Sequence, residues 1–128
     1  MTLRRLDHAL VLTDDLEATV AFYRDALGFE LGPRPPLPFP GHWLYLDGAA
    51  CLHVADRAAY EAHAASVGLA ATGASIDHVA FAAERYDDVA ARLEAAGVDA
   101  VTNDVPDAAM RQIFLSDPNG VRIELNVI

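Results

Sequence analysis

Four residues of metal-ligand type occupy matching places in the two halves of this 128-residue chain. His8 and His78 each follow an aspartate that comes after an apolar residue, and each opens a short apolar run. His53 and Glu124 then follow these histidines at nearly equal spacings. Imidazole and carboxylate groups are common ligands of divalent transition metals. The symmetry therefore predicts a shared metal site formed by His8, His53, His78 and Glu124.

Around each histidine the hydrophobic pattern predicts the same order of elements. A buried strand is followed by an amphipathic helix that ends at a glycine, and then by three more strands. Module one is predicted over about residues 4–55 and module two over about 76–128. A short helix and a linker of small and polar residues occupy about 56–75 between them. The length and the duplication predict one α+β domain spanning residues 1–128, with two tandem βαβββ modules.

Several predicted elements bear directly on the site. Most of the prolines lie within residues 32–41, which predicts a stiff extended loop that either borders a site or only connects strands. The Asp-Pro-Asn-Gly sequence at residues 117–120 predicts a hairpin turn. The other strands that matter are predicted over residues 6–13, 76–81, 98–101 and 121–127.

Strand alternation singles out Glu124. Val121, Ile123 and Leu125 form the apolar face of the last predicted strand, so Glu124 lies on the other face, where a cupped sheet can form a pocket. A glutamate in such an apolar strand is costly to bury unless it is paired or coordinated. His42 and His63 lack counterparts of ligand type in the other module, and we predict that both are ordinary polar residues.

Composition excludes some classes of partner. The formal net charge is −10, which argues against nucleic acid and anionic membranes as partners. The single cysteine, Cys51, cannot form an intramolecular disulfide. No secretory leader and no apolar run long enough to span a bilayer is apparent, and the predicted location is the cytoplasm.

The chain resembles the vicinal oxygen chelate superfamily. The resemblance rests on the paired modules, on Leu-Asp-His-Ala-Leu-Val-Leu at residues 6–12, and on Asp-Pro-Asn-Gly-Val-Arg-Ile-Glu at residues 117–124. That superfamily includes glyoxalase I, extradiol dioxygenases, and fosfomycin- and bleomycin-resistance proteins. The resemblance implies that the mixed sheets are cupped and incompletely closed.

The resemblance also implies roles for individual residues. The family's metal triad falls on His8, His78 and Glu124, and would suit a divalent ion of Fe, Ni, Co, Mn or Zn. His53 occupies the place where glyoxalase I has a fourth ligand, a glutamate that acts as the base. We therefore predict catalytic roles for Glu124 and His53, with His53 as a further ligand or a proton shuttle. The histidine argues against lactoylglutathione lyase activity itself.

The implied function is that of a glyoxalase-like lyase or isomerase, whose small substrate chelates the metal through neighbouring oxygens. A homodimer is implied, because small family members commonly share the site between subunits. An extradiol-type dioxygenase and a non-catalytic, ligand-sequestering protein are the alternatives. Trp43 and Phe114 either line a pocket or pack in the core. The predicted substrate-binding residues are Tyr45, Arg111, Gln112 and Arg122.

Overall fold

Two four-stranded sheets follow one another along the chain, one from each module. The computed structural model describes residues 5–72, 76–106 and 109–128. The first module contains β1 (Ala9–Thr13), α1 (Leu16–Leu27), β2 (Glu30–Gly32), β3 (Gly41–Leu46) and β4 (Ala49–Asp56), and helix α2 (Arg57–Ser66) follows it. The second contains β5 (His78–Ala83), α3 (Tyr86–Ala95), β6 (Val101–Val105), β7 (Met110–Ser116) and β8 (Arg122–Val127). The predicted βαβββ order is confirmed in both modules.

In each sheet the first and last strands of the module are parallel neighbours. The strand orders are β1-β4-β3-β2 and β5-β8-β7-β6, and the remaining pairs are antiparallel. Neither sheet closes into a barrel, so the predicted class of mixed, incompletely closed sheets is confirmed. Strands β1 and β5 are edge strands, and in the described part of the chain each has a strand partner on one side only.

Helix α1 has the ends that its sequence predicts. The Asp15 carboxylate accepts a hydrogen bond from the Ala18 amide at 3.0 Å, which caps the first turn. Gly28 ends the helix with φ = 80°, a left-handed conformation that favours glycine. Between these caps the helix buries Thr19, Val20, Tyr23 and Ala26.

Some strand boundaries differ from the prediction. Strand β6 begins at Val101 rather than Val98, because the Val98 amide donates to the Leu93 carbonyl at 3.0 Å and so belongs to the end of helix α3. Strands β1 and β5 begin at Ala9 and His78, later than predicted. Part of the predicted linker, residues 73–75, lies outside the described residues.

A shared hydrophobic core holds the modules together. Helices α1 and α3 pack on one another, and the rings of Phe29 and Phe81 meet edge-on at 5.4 Å.

We call the face of each sheet opposite this core its open face. It carries Trp43 and His53 in the first sheet and Phe114 and Glu124 in the second, which corrects the prediction of possible core packing for Trp43 and Phe114. No helix in the described part of the chain has the length and apolar character needed to cross a membrane. Both modules contribute to the buried core, which includes Val11, Tyr23, Leu44, Leu52, Leu93, Ile113, Ile123 and Leu125.

Candidate functional site

The open face of the first sheet carries a stack of three aromatic rings. His53 and Trp43 are direct partners across β3 and β4, and their ring centroids lie 4.2 Å apart with planes inclined by 7°. His8, immediately before β1, covers the other face of the His53 ring at 3.8 Å and 15°. The parallel pairing of β1 with β4 brings these two histidines together although they are far apart in the chain.

An aspartate orients the equivalent histidine of each module. His8 Nδ1 donates to Asp7 Oδ2 at 2.8 Å, and His78 Nδ1 donates to Asp77 Oδ1 at 2.9 Å. These hydrogen bonds lower the pKa of both aspartate carboxyls. With the proton on Nδ1, the neutral ring keeps its lone pair on Nε2, the tautomer suited to metal binding.

In the second sheet His78 and Glu124 form a pair of side chains of metal-ligand type. His78 Nε2 lies 3.5 Å from Glu124 Oε1, at the limit of hydrogen bonding. Two ligand atoms that each lie about 2.1 Å from one ion are about 3.0 Å apart when the ligand–metal–ligand angle is a right angle. They are about 3.4 Å apart when that angle is tetrahedral. The Glu124 side chain is only 13% exposed and stands on strand β8 beside β5. The chemistry and separation of this pair therefore fit two ligands of one divalent ion.

The four predicted ligands do not all meet within one protomer. His8 and His53 lie on the first sheet, whereas His78 and Glu124 lie on the second. Among the residues that the structure describes, no three histidine, cysteine or acidic side chains are grouped closely enough to hold a metal ion. The predicted ligands of one protomer therefore fall into two separate groups, which we call the His8 half-site and the His78–Glu124 half-site.

His53 is arranged differently from the other two histidines. Its Nε2 donates to the Ala50 carbonyl at 3.1 Å, so the neutral ring accepts through Nδ1. The in-plane lone pairs of two nearly parallel stacked rings do not converge on one ion, so this geometry does not support coordination by His53 beside His8. Burial, followed by the nearby His8, lowers the pKa of His53. Near neutral pH the ring is therefore mostly neutral, with its lone pair on Nδ1.

Two of the predicted substrate-binding residues lie on the same open face as Glu124. Gln112 donates to Asn126 at 3.3 Å and accepts from Asn103 at 2.9 Å. Arg122 donates from Nη1 to Asp77 Oδ1 at 2.9 Å, and the same oxygen accepts from His78. Arg122 is thus linked to His78 through one carboxylate oxygen.

The other two predicted substrate-binding residues are placed less favourably. Arg111 alternates with Ile113 toward the core side of β7, where its guanidinium carbon lies 3.5 Å from the centre of the Tyr86 ring. This placement does not support substrate binding beside Glu124. Tyr45 hydrogen-bonds the Pro33 carbonyl and lies across Gly32, where a Cβ atom would come within 2.5 Å of the ring.

The proline-rich loop borders the site, one of the two possibilities predicted for it. Arg34 Nη2 donates to the Phe39 carbonyl at 2.7 Å, and the Phe39 ring meets Tyr60 of helix α2 edge-on at 5.2 Å. Together with the ring stack they line a solvent-open cavity of about 150 Å³, which we call the loop cavity. It is lined by His8, Leu10, Arg34, Leu37, Phe39, Trp43, His53, Val54, Ala55 and Tyr60.

Sequence reasoning gave no site role to Arg34, Phe39 or Tyr60. The proline run was a local signal for Arg34 and Phe39, whereas Tyr60 lies outside that run on helix α2. It also gave no role to Asp7 and Asp77, although the repeated Asp-His dipeptide was a visible signal. The strand alternation that placed Glu124 on the open face could also have placed Arg111 on the core side.

Comparisons with known proteins agree with this architecture. Lactoylglutathione lyase from Agrobacterium tumefaciens is 22% identical with a TM-score of 0.75, over 99% of this chain and 96% of that one. The fosfomycin resistance protein FosX from Listeria monocytogenes is 17% identical with a TM-score of 0.72, over 99% and 95% of the two chains. The antibiotic-binding protein TnmS3 from a Streptomyces species is 24% identical with a TM-score of 0.72, over 99% and 98%. These likenesses are evidence for the fold alone.

No curated protein matches the chain significantly in sequence. A family model, in contrast, matches almost the whole chain, over residues 5–125. The match includes both Asp-His dipeptides and the strand that carries Glu124. The chain belongs to the Glyoxalase/Bleomycin resistance protein/Dioxygenase superfamily.

Proposed function

We propose that the protein is a metal-dependent enzyme of the vicinal oxygen chelate type, acting on a small substrate with two neighbouring oxygens. The observation that carries the proposal is the matched orientation of His8 and His78. In each module an aspartate accepts from Nδ1 and leaves Nε2 as the lone-pair nitrogen. The separation of His78 from Glu124 supports a third ligand at the same centre.

The complete centre is proposed to form across a homodimer. Each protomer has two half-sites on separate sheets, so a two-fold partner can bring the His8 half-site of one subunit to the His78–Glu124 half-site of the other. The residues beside these half-sites support an interface, because Leu6 and Ile76 are 86% and 80% exposed and apolar. Two identical sites would result per dimer.

The proposed roles of the site residues follow from the geometry. A bound divalent ion would supply Lewis acidity to the chelating oxygens of the substrate. His8, His78 and Glu124 would hold the ion, which is one of Fe, Ni, Co, Mn or Zn. His53 is proposed to accept and return a proton through Nδ1, because its Nε2 is engaged with the Ala50 carbonyl. Gln112 on the open face is proposed to bind the remainder of the substrate.

Subunit complementation tests both the ligands and the dimer. Chains carrying His8→Ala and Glu124→Ala are co-expressed with different tags, and the mixed dimer is isolated through both tags. Either variant alone is expected to lose most of its bound metal. In the mixed dimer one site has lost both altered residues and the other has kept both. We therefore expect about one ion per mixed dimer and about two per wild-type dimer.

A His42→Ala chain is the matched control. His42 alternates with Trp43 along β3 and so lies on the opposite face of the sheet from His53, and its loss should leave the metal content unchanged. Mixed dimers that remain as metal-poor as the single variants would contradict the shared site. A screen of dicarbonyls, thiol adducts and catechols under each metal, with oxygen uptake recorded, then separates lyase or isomerase chemistry from ring cleavage.

Ligand sequestration without catalysis is the second candidate function. The aromatic lining of the loop cavity favours it, because stacked and edge-on rings bind flat organic molecules without any metal. Native protein that is purified free of metal and still binds a ligand tightly would support sequestration over the enzyme.

A further inference from the structure

We propose that the loop cavity binds single-ring aromatic carboxylates, with the ring held among aromatic side chains and the carboxylate at Arg34. The inference deepens the proposed function and rests on it in one respect, since it takes the open face of the first sheet to be the ligand-binding face. It names a substrate or ligand class that the metal donors alone do not indicate.

The lining of the cavity selects for a flat apolar body. His53 is covered on both faces by His8 and Trp43, so this ring presents only its edge to a ligand. Phe39 and Tyr60 pack edge-on at 5.2 Å on another part of the same cavity. Aromatic groups favour edge-to-face and offset contacts with one another, and such contacts add to the gain from burying apolar surface. The cavity is therefore better matched to an aromatic ring than to an aliphatic one.

The charge in the cavity selects for an anion. Arg34 is half-buried and uses Nη2 for the Phe39 carbonyl, which leaves other N–H donors of the guanidinium. Among the described residues, no carboxylate lies within 4.0 Å of it. No acidic residue is among those that line the cavity, and the nearby Asp7 is engaged with Arg5 and His8. In a chain of net charge −10, this cation is a local site for an anionic group.

The size of the cavity matches a ligand with one ring. Its volume is about 150 Å³. A dry apolar cavity of about this size admits benzene in proteins where the measurement has been made. Benzoate and phenylacetate are therefore suitable probes.

The single tryptophan of the chain, Trp43, reports on this cavity directly. Protein freed of metal with a chelator is titrated with benzoate and with phenylacetate, and Trp43 fluorescence and titration calorimetry are followed. We expect saturable binding that Arg34→Gln weakens by about tenfold or more, the loss typical of a charge-assisted hydrogen bond. Benzylamine and cyclohexanecarboxylate should bind several-fold more weakly than benzoate, the first for its charge and the second for its lack of an aromatic ring.

Arg85→Gln is the matched control, because Arg85 is an exposed arginine paired with Asp88 and lies outside the loop cavity. It should leave both titrations unchanged. Arg34→Lys keeps a cation, and it decides the matter if Arg34→Gln loses its folded circular-dichroism spectrum. In that case a folded Arg34→Lys protein replaces Arg34→Gln in the comparison and should bind both acids more weakly than the wild type, because lysine lacks the planar fork of the guanidinium.

Three results would overturn the proposal: no saturable binding of either acid, equal binding by Arg34→Gln, or equal binding of benzylamine. Because these titrations use metal-free protein, their failure leaves the proposed metal centre standing. Failure of the subunit-complementation experiment likewise leaves this result standing.

Discussion

At the level of single residues, two aspartates determine which nitrogen of each predicted metal histidine is available. A carboxylate can only accept, so Asp7 and Asp77 place the proton on Nδ1 of His8 and His78. Arg122 shares Asp77 with His78, and this bond holds the carboxylate in place. Arg122 is therefore placed to act on the histidine through Asp77, in addition to any contact with substrate.

Removal of the orienting carboxylate should weaken metal binding without unfolding the protein. Asp77→Ala is expected to lower the metal affinity by about 10- to 100-fold, because His78 loses the hydrogen bond that selects its tautomer and orientation. Asp87→Ala is the control, since Asp87 is an exposed aspartate of helix α3 in the same module. Competition with a chromophoric chelator measures the affinity, and an unchanged value for Asp77→Ala would contradict the orienting role.

At the level of elements, the turn between β7 and β8 joins the two modules. Asp117 is 5% exposed and accepts from the Tyr23 hydroxyl of α1 at 2.9 Å. Its other oxygen accepts from the backbone amides of Asn119 and Val121 at 2.7 and 2.9 Å. Asn119 also accepts from Thr13 at 2.7 Å. Residues 117–120, which by sequence predict only a hairpin turn, therefore also attach module two to module one.

A double-mutant cycle tests this connection. Tyr23→Phe leaves a buried carboxylate without its hydroxyl donor and is expected to lower the free energy of unfolding by about 1–3 kcal/mol. In the double variant Tyr23→Phe/Asp117→Asn, the loss of unfolding free energy should be smaller than the sum of the two single-variant losses by about 0.5 kcal/mol or more. Urea unfolding provides the values, and Tyr86→Phe is the control. Strict additivity would show that the two side chains are not coupled.

The raised pKa of Tyr23 leads us to expect a loss of stability at alkaline pH. Burial, and then the charge and hydrogen bond of Asp117, raise the pKa of Tyr23 far above its ordinary value. The folded state then holds a proton that the unfolded state releases, so the stabilisation is complete below about pH 10 and is lost as the pH rises further. We expect the free energy of unfolding to fall by up to about 1.4 kcal/mol per pH unit above pH 10.

The chain contains no lysine, so few other groups titrate in this range. Tyr23→Phe should therefore remove most of the slope between pH 10 and 11, measured by urea unfolding. An equal slope in the variant would assign the alkaline loss to other groups.

At the level of the whole molecule, the packing of α1 on α3 holds the two sheets in one core and leaves the two half-sites on separate sheets. The proposed dimer would bring complementary half-sites together beside the edge strands β1 and β5. The exposed apolar residues next to these strands belong to that proposed interface.

A charge at this interface should dissociate the dimer and release the metal together. Ile76→Glu is expected to raise the dimer dissociation constant by about tenfold or more, because a carboxylate would be buried without a partner. Monomer stability should change by no more than about 0.5 kcal/mol, since Ile76 is 80% exposed in the protomer. Val67→Glu, at another exposed apolar position, is the control. Sedimentation and metal analysis would contradict the proposal if a monomeric variant kept its metal.

By itself, the sequence determined the order of elements and the face on which Glu124 stands. Both follow from short-range rules, because helical and strand periodicities act over a few residues and the duplication shows them twice. The family was likewise recognisable from two short motifs at the ends of the chain.

Only the tertiary structure decided how distant groups meet. Sequence spacing cannot tell that His53 is stacked between His8 and Trp43, or that its Nε2 is engaged with the Ala50 carbonyl. Nor can it tell that Asp117 reaches Tyr23, or that the half-sites lie on different sheets. These contacts depend on strand order and on the packing of α1 against α3, which join residues far apart along the chain, whereas periodicity reports only on neighbours.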